Sequence, residues 1–153
     1  MGKNAQGWRD ALGDVAEALA SARDPWWIIG SAAVALHGED PGNVNDIDVI
    51  ISPRDFDRLE AAGILKPVKH RTRDHFNSEK FGRSRVGEYE VEYFADLRVL
   101  ADGEWHLVEF DEAEIVDCQG VEIRVPARAE LIDLLQLFGR EKDLRRAACL
   151  RKI

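Results

Sequence analysis

The sequence predicts an α/β (α+β) domain: a mixed β-sheet with helices mainly on one face and a helical element at the C-terminus. Three observations carry that expectation. Two short apolar runs, 26–29 and 49–51, bracket an Ala-rich segment of helical character. Residues 89–94 alternate apolar and acidic, and two further pairs of apolar runs are joined by Asp102-Gly103 and Gln119-Gly120. Near both ends of the chain, apolar residues recur at three- and four-residue spacing.

In chain order, Trp8, Leu12, Val15, Leu19 and Ala22 define a first helix, limited by Pro25, whose stripe should pack on the sheet. Residues 26–29 suit a buried strand. Gly30-Ser31 then turns into a short helix over 32–36, closed by His37-Gly38. The polar loop 39–45 contains the turn signal Asp40-Pro41-Gly42 and delivers Asp46-Ile47-Asp48 into the second strand. Ser52-Pro53-Arg54-Asp55 reads as a helix start, with Phe56 and Leu59 facing inward and Gly63 at the end. The basic stretch 66–73 is either a solvated loop or a clamp for an anion. Next, Tyr89, Val91 and Tyr93 share one strand face and Glu88, Glu90 and Glu92 the other. Residues 97–101 with 104–108, and 115–118 with 121–125, form two hairpins. His106 has no second His or Cys at ligand spacing and reads as structural or surface. After Pro126, Leu131, Leu134, Leu135 and Phe138 mark a helix broken by Gly139, and 141–150 continues as another. No repeat or long linker interrupts the chain, which reads as a single domain with a core over about 24–126 and C-terminal helices over about 127–150.

Composition narrows the function. The chain of 153 residues is 45% hydrophobic and 33% charged, with a formal net charge of −8 and a pI near 5.0. That balance argues against nonspecific binding of duplex DNA, which needs a basic footprint. With no secretory leader pattern and no apolar run of membrane length, the expectation is a cytoplasmic protein without a membrane partner. Cys118 and Cys149 show no metal-binding spacing and read as two reduced thiols.

The chemistry is concentrated between residues 26 and 52. On a strand, Asp46 and Asp48 point the same way, about 7 Å apart at their Cα atoms, and both could reach the same hard cations. Such a pair repels itself unless a cation or a base relieves it. The Gly30-Ser31 turn offers backbone N–H groups and a hydroxyl to a phosphate at the start of a helix. Magnesium is commonly shared between one or two carboxylates and a substrate's phosphates, so a nucleotide fits both features.

Gly30-Ser31 followed after a loop by Asp46-x-Asp48 resembles the signature of the DNA polymerase β-type nucleotidyltransferase superfamily, and above all its minimal and antibiotic- or toxin-type members. The resemblance spans about residues 26–150, although its specific motifs are short. It implies magnesium-dependent transfer of a nucleoside monophosphate from a nucleoside triphosphate to an acceptor hydroxyl on a small molecule, an RNA or a protein. It also implies two Mg2+ ions held by Asp46, Asp48 and a third carboxylate on the strand beside them. Matching the family's apolar-acid-apolar-apolar pattern to Val91-Glu92-Tyr93-Phe94 selects Glu92, with Glu90 and then Asp96 as alternatives. Gly30 and Ser31 would fix the outer phosphates; the basic stretch, read from its charge alone, is either a solvated loop or a clamp on the triphosphate or an anionic acceptor. The string Gly139-Arg140-Glu141-Lys142-Asp143-Leu144 resembles a C-terminal element whose lysine, here Lys142, can reach the nucleotide. Alternatively Arg140, Lys142, Arg145 and Arg146 form the wet face of a terminal helix. Where relatives carry Arg and Thr before the first Asp, this chain has Asn43 and Asn45. A non-catalytic nucleotide-binding or toxin–antitoxin-associated module of the same fold is the other reading.

Overall fold

The computed structural model describes residues 7–69 and 76–152. His70, Arg71, Thr72 and Arg73 of the basic stretch therefore lie outside the described residues. The strands are β1 (Trp27–Ile29), β2 (Asp46–Ile51), β3 (Lys66–Pro67), β4 (Phe76–Val86), β5 (Tyr89–Ala101) and β6 (Glu104–Leu107), followed by the hairpin β7 (Ala113–Cys118) and β8 (Val121–Pro126). The first six form one mixed sheet in the order β1-β2-β5-β4-β3, with β6 paired to the far end of β5. The β2–β5 pair is parallel; β1–β2, β4–β5 and β3–β4 are antiparallel. Both anticipated hairpins form, with positive φ at Asp102 and Gly103 and at Gln119 and Gly120, as turns matching strand twist require. The β7–β8 hairpin makes its own two-stranded sheet rather than joining the main one.

Among the described residues there are five helices: α1 (Gly7–Leu19), α2 (Gly30–Leu36), α3 (Pro53–Ala61), α4 (Arg128–Phe138) and α5 (Glu141–Arg151). In α1 the stripe Trp8, Leu12, Val15 and Leu19 is buried as its spacing requires, but its near neighbours are β7 and β8. That hairpin thus lies between α1 and the sheet's first strand. At α3, the Ser52 hydroxyl accepts from the Asp55 N–H at 3.2 Å, and Phe56 and Leu59 are buried. The Asp55 carboxylate accepts the backbone N–H groups of Arg23 and Asp24, each at 2.9 Å, which fixes the approach to β1. Arg128 donates to the carbonyls of His37 at 2.8 Å and Leu150 at 2.7 Å, holding the end of α2 against the end of α5. Among the described residues no helix is long and apolar enough to cross a membrane.

Two apolar clusters sit on opposite faces of the sheet. The larger contains Ile47, Val49 and Ile51 of β2 with Val91, Tyr93 and Ala95 of β5, covered by the helices and the hairpin. The smaller contains Ile29, Ile50, Leu97, Val99, Val108 and Leu134. Helix α4 serves both, through Leu131 and Leu135 on one side and Leu134 on the other. Within β5 the change of face occurs at Asp96, whose φ is +53, and the ladder to β4 skips the Glu79–Asp96 pair. Ala95 and Leu97, two residues apart, consequently serve different clusters. The sequence reading gave no strand to residues 76–86, yet β4 is the main antiparallel partner of β5. Its stretch FNSEKFGRSRV buries only Ser78 and Gly82, so little apolar periodicity marks it.

Candidate active site

The parallel pairing sets the acids. Asp46 lies opposite Glu90 and Asp48 opposite Glu92, on strands about 4.8 Å apart. With Ile47, Val49, Val91 and Tyr93 committed to the core, alternation turns all four carboxylates to the other face of the sheet. Asp46, Asp48 and Glu92 line a cleft of about 700 Å³ there. Glu90 and Asp96 are not among its lining residues. Strand β1 runs along the other side of β2 and places Ile29 opposite Asp48, so the chain enters α2 beside that carboxylate. Gly30 has φ +73, and a Cβ on it would lie 2.7 Å from Asp48 Oδ2. Only glycine combines that backbone with that approach.

Asp48 is the electrostatic centre. Its Oδ1 is sealed from solvent and is the single buried side-chain oxygen or nitrogen among the described residues without a hydrogen-bond partner. Burial, and then the charges of Glu92 and Asp46, push its carboxyl pKa up to about 8; a hydrogen bond with Glu92 adds to the rise and Arg140 opposes it. Part of the negative charge is met by Arg83, whose Nε lies 3.3 Å from Glu92 and 3.5 Å from Glu90. Among the described residues no three His, Cys, Asp or Glu side chains form a closed ligand cluster. The donor chemistry nevertheless fits a hard divalent cation: oxygen ligands only, one of them an orphaned carboxylate oxygen held against two further acids.

Cations occupy the opposite wall. Gly139 closes α4 in the left-handed region at φ +72, donating its N–H to Leu135, and the chain turns at once into α5. Asp143, almost fully buried, accepts from the Arg140 N–H at 3.3 Å and from its guanidinium at 2.6 and 3.2 Å. This junction orients Arg140, Lys142 and Arg146 toward the cleft, while Arg145 pairs with Glu141 on the exposed side. Arg146 donates to the Pro41 carbonyl at 2.9 Å, anchoring the loop before β2. Asp143→Ala should therefore cost about 1–2 kcal/mol of stability by chemical denaturation, through loss of the cap and the ion pair.

Gly30, Ser31 and Lys142 all line the same cleft, as do Asn43, Asn45 and, from the basic stretch, Lys69. His106 lies apart, its Nε2 3.3 Å from the Ala101 carbonyl within the β5–β6 hairpin. Sequence reasoning missed Arg83 and four phenylalanines, Phe76, Phe81, Phe94 and Phe138, that also face the cleft. Most of these belong to the unrecognised β4 or to the strand end beyond the acids. Only Phe138 carried a signal, and its helical spacing pointed to the core.

No protein-family model matches the chain, and no curated protein matches its sequence. Solved structures do match. A Thermotoga maritima protein assigned as a nucleotidyltransferase superposes with a TM-score of 0.70 at 24% identity, over 98% of this chain and 94% of that one. An antigenic nucleotidyltransferase-like protein from Paracoccidioides brasiliensis gives 0.59 at 15% identity, over 95% and 76%. A lincosamide antibiotic adenylyltransferase, solved with lincomycin bound, gives 0.58 at 13% identity, over 94% and 96%. The chain has the nucleotidyltransferase fold.

Proposed function

We propose that this protein transfers a nucleoside monophosphate from a nucleoside triphosphate to an acceptor hydroxyl, with Asp46, Asp48 and Glu92 holding Mg2+. The observation that carries the reading is the orphaned, buried Asp48 Oδ1, set between two other acids and beside the Gly30 backbone. A protein keeps such repulsion only where a cation or a proton relieves it. Bound magnesium would supply positive charge for the phosphates and lower the pKa of the acceptor hydroxyl. The remaining steps belong to the chain. Gly30 and Ser31 orient the outer phosphates, and Lys142 with Arg146 offsets their charge from the other wall. Glu92 accepts the proton of the acceptor hydroxyl as its oxygen bonds to the α-phosphorus. The bond from that phosphorus to the bridging oxygen breaks, and pyrophosphate leaves. The lincosamide adenylyltransferase supports a small molecule as the acceptor.

A second reading, a nucleotide-binding module without turnover, draws on the pairing of Glu92 with Arg83, which leaves no preformed cage. One experiment separates the two. Each nucleoside triphosphate is titrated with magnesium, and pyrophosphate release is then followed over a panel of small-molecule acceptors. Release supports transfer; magnesium-dependent binding without release over the whole panel supports the module. Within the transferase reading, Glu92→Gln should lower release by about 100-fold or more, and Glu90→Gln by less than about tenfold. The reverse order would make Glu90 the third acid.

A further inference from the structure

The cleft has two chemically distinct ends. Around Gly30, Ser31, Lys142 and Arg146 it is polar and suited to phosphates. Beyond Asp48 and Glu92, along the strands, it becomes aromatic. Four of the chain's six phenylalanines face it there, all partly exposed. They form two pairs: Phe81 and Phe94 with ring centroids 5.1 Å apart, and Phe76 and Phe138 at 5.2 Å. The wall is part of the architecture. The left-handed Asp96 turns Leu97 onto the same face as Phe94, so that the floor continues apolar where regular alternation would have put Asp96. Aspartate is among the side chains that adopt this conformation most readily, so the change of face is made at little cost.

Phosphates gain nothing from this surface. Its position also separates it from the triphosphate end: Phe94 is two residues from Glu92 on the same strand, and Phe81 is two residues from Arg83, the partner of Glu92. We infer that the aromatic wall of Phe81 and Phe94 is the acceptor subsite, and that it takes a neutral small molecule carrying its hydroxyl on or near an apolar ring. This rests on the transferase reading, in which Glu92 faces the acceptor hydroxyl. Charge selects the class. The guanidiniums over the wall, Arg83 on Phe81 and Arg140 on Phe76 and Phe138, are each neutralised by a carboxylate, Glu92 and Asp143. Among the described residues the guanidiniums stacked on the wall are thus paired rather than free for an RNA, and the acids they hold are not free for a polycation; Lys69 also lines the cleft.

The test uses 2-(2-naphthyl)ethanol as the ring-bearing alcohol, followed by ligand-observed NMR, and magnesium with α,β-methylene ATP, followed by calorimetry. Phe94→Leu and Phe81→Leu remove a ring while keeping an apolar side chain, and circular dichroism checks that each variant folds. Each should weaken the alcohol by about five- to tenfold and leave the nucleotide analogue unchanged, with both ligands bound together in the wild type. If the variants weaken the analogue instead, and the analogue displaces the alcohol, the wall holds the nucleobase and the acceptor assignment is overturned. Unchanged alcohol binding in both variants overturns the subsite itself. Failure of the wild type to bind the α,β-methylene analogue of any nucleoside triphosphate with magnesium brings down the transferase reading, and the acceptor assignment with it; the alcohol titration alone then reports whether the wall binds rings.

Discussion

Asp48→Asn is expected to abolish nucleotidyl transfer and at the same time to raise the melting temperature of the metal-free protein at pH 8. The loss follows from removing a carboxylate that would hold the cation at the reacting phosphate. Several kcal/mol of transition-state stabilisation go with it, about a thousandfold or more in rate. The gain follows from linkage. The Asp48 carboxyl is pushed up to about 8 by burial and by the charges of Glu92 and Asp46, from an ordinary value of 3.8. Between those values the folded chain holds a proton that the unfolded chain has released, so stability falls as pH rises across the window. The wild type is therefore most penalised near and above pH 8 and not at all below about pH 4. Asparagine carries no charge to penalise, and its amide can donate to Glu92. Thermal melts at pH 5 and pH 8.5 should show the variant's advantage growing with pH, by at least a few degrees at the upper value. On the proposed reading excess magnesium should reverse the order, because it would bind the folded wild type and not the variant. Equal melting temperatures at both pH values would remove the electrostatic account of Asp48.

Those expectations begin in residues visible along the chain. The Asp-Ile-Asp run with its apolar continuation defined a strand face, and the Gly-Ser pair defined the turn before α2. Their meeting was legible because consecutive elements are short and close in sequence. Glu92 was legible only as a member of a set. Periodicity put Glu88, Glu90 and Glu92 on one face without separating them, and the choice of Glu92 came from the resemblance; in the parallel register both Glu90 and Glu92 lie opposite an aspartate, and of the two Glu92 lines the cleft. Strand β4 escaped for a related reason. Strand patterns are read from apolar alternation, and β4 has little of it: the two residues it buries are a serine and a glycine, and its phenylalanines are only partly covered where they line the cleft. Arg140 shows the limit differently. Its place in a charged helical run suited a wet surface, and it does stay exposed, but its ion pair with the buried Asp143 holds it at the helix junction, and the cleft wall forms there. The aromatic wall was invisible because it is assembled from β4, β5 and α4, and no local pattern records how those elements meet.

Gly30→Ala should damage the site more than the fold. At φ +73 an L-residue costs about 1–2 kcal/mol, a loss that a domain stable by about 5–15 kcal/mol survives. The site suffers a second insult, since the new methyl would sit 2.7 Å from Asp48 Oδ2 and 3.6 Å from its Cγ. Backbone on one side and the closed β1–β2 ladder on the other leave the carboxylate as the group that moves. On the proposed reading a displaced Asp48 would no longer share a cation with Asp46 and Glu92, and misplacement on the ångström scale costs about 100-fold in rate. Gly63→Ala supplies the control. It carries nearly the same strain, at φ +76, with nothing within 4 Å of the added methyl and no part in the cleft. Denaturation should show similar losses of stability for the two variants, whereas pyrophosphate release should fall only for Gly30→Ala. Similar release from both would mean that the glycine beside Asp48 answers to backbone geometry alone, and that close approach to the carboxylate has no part in the chemistry.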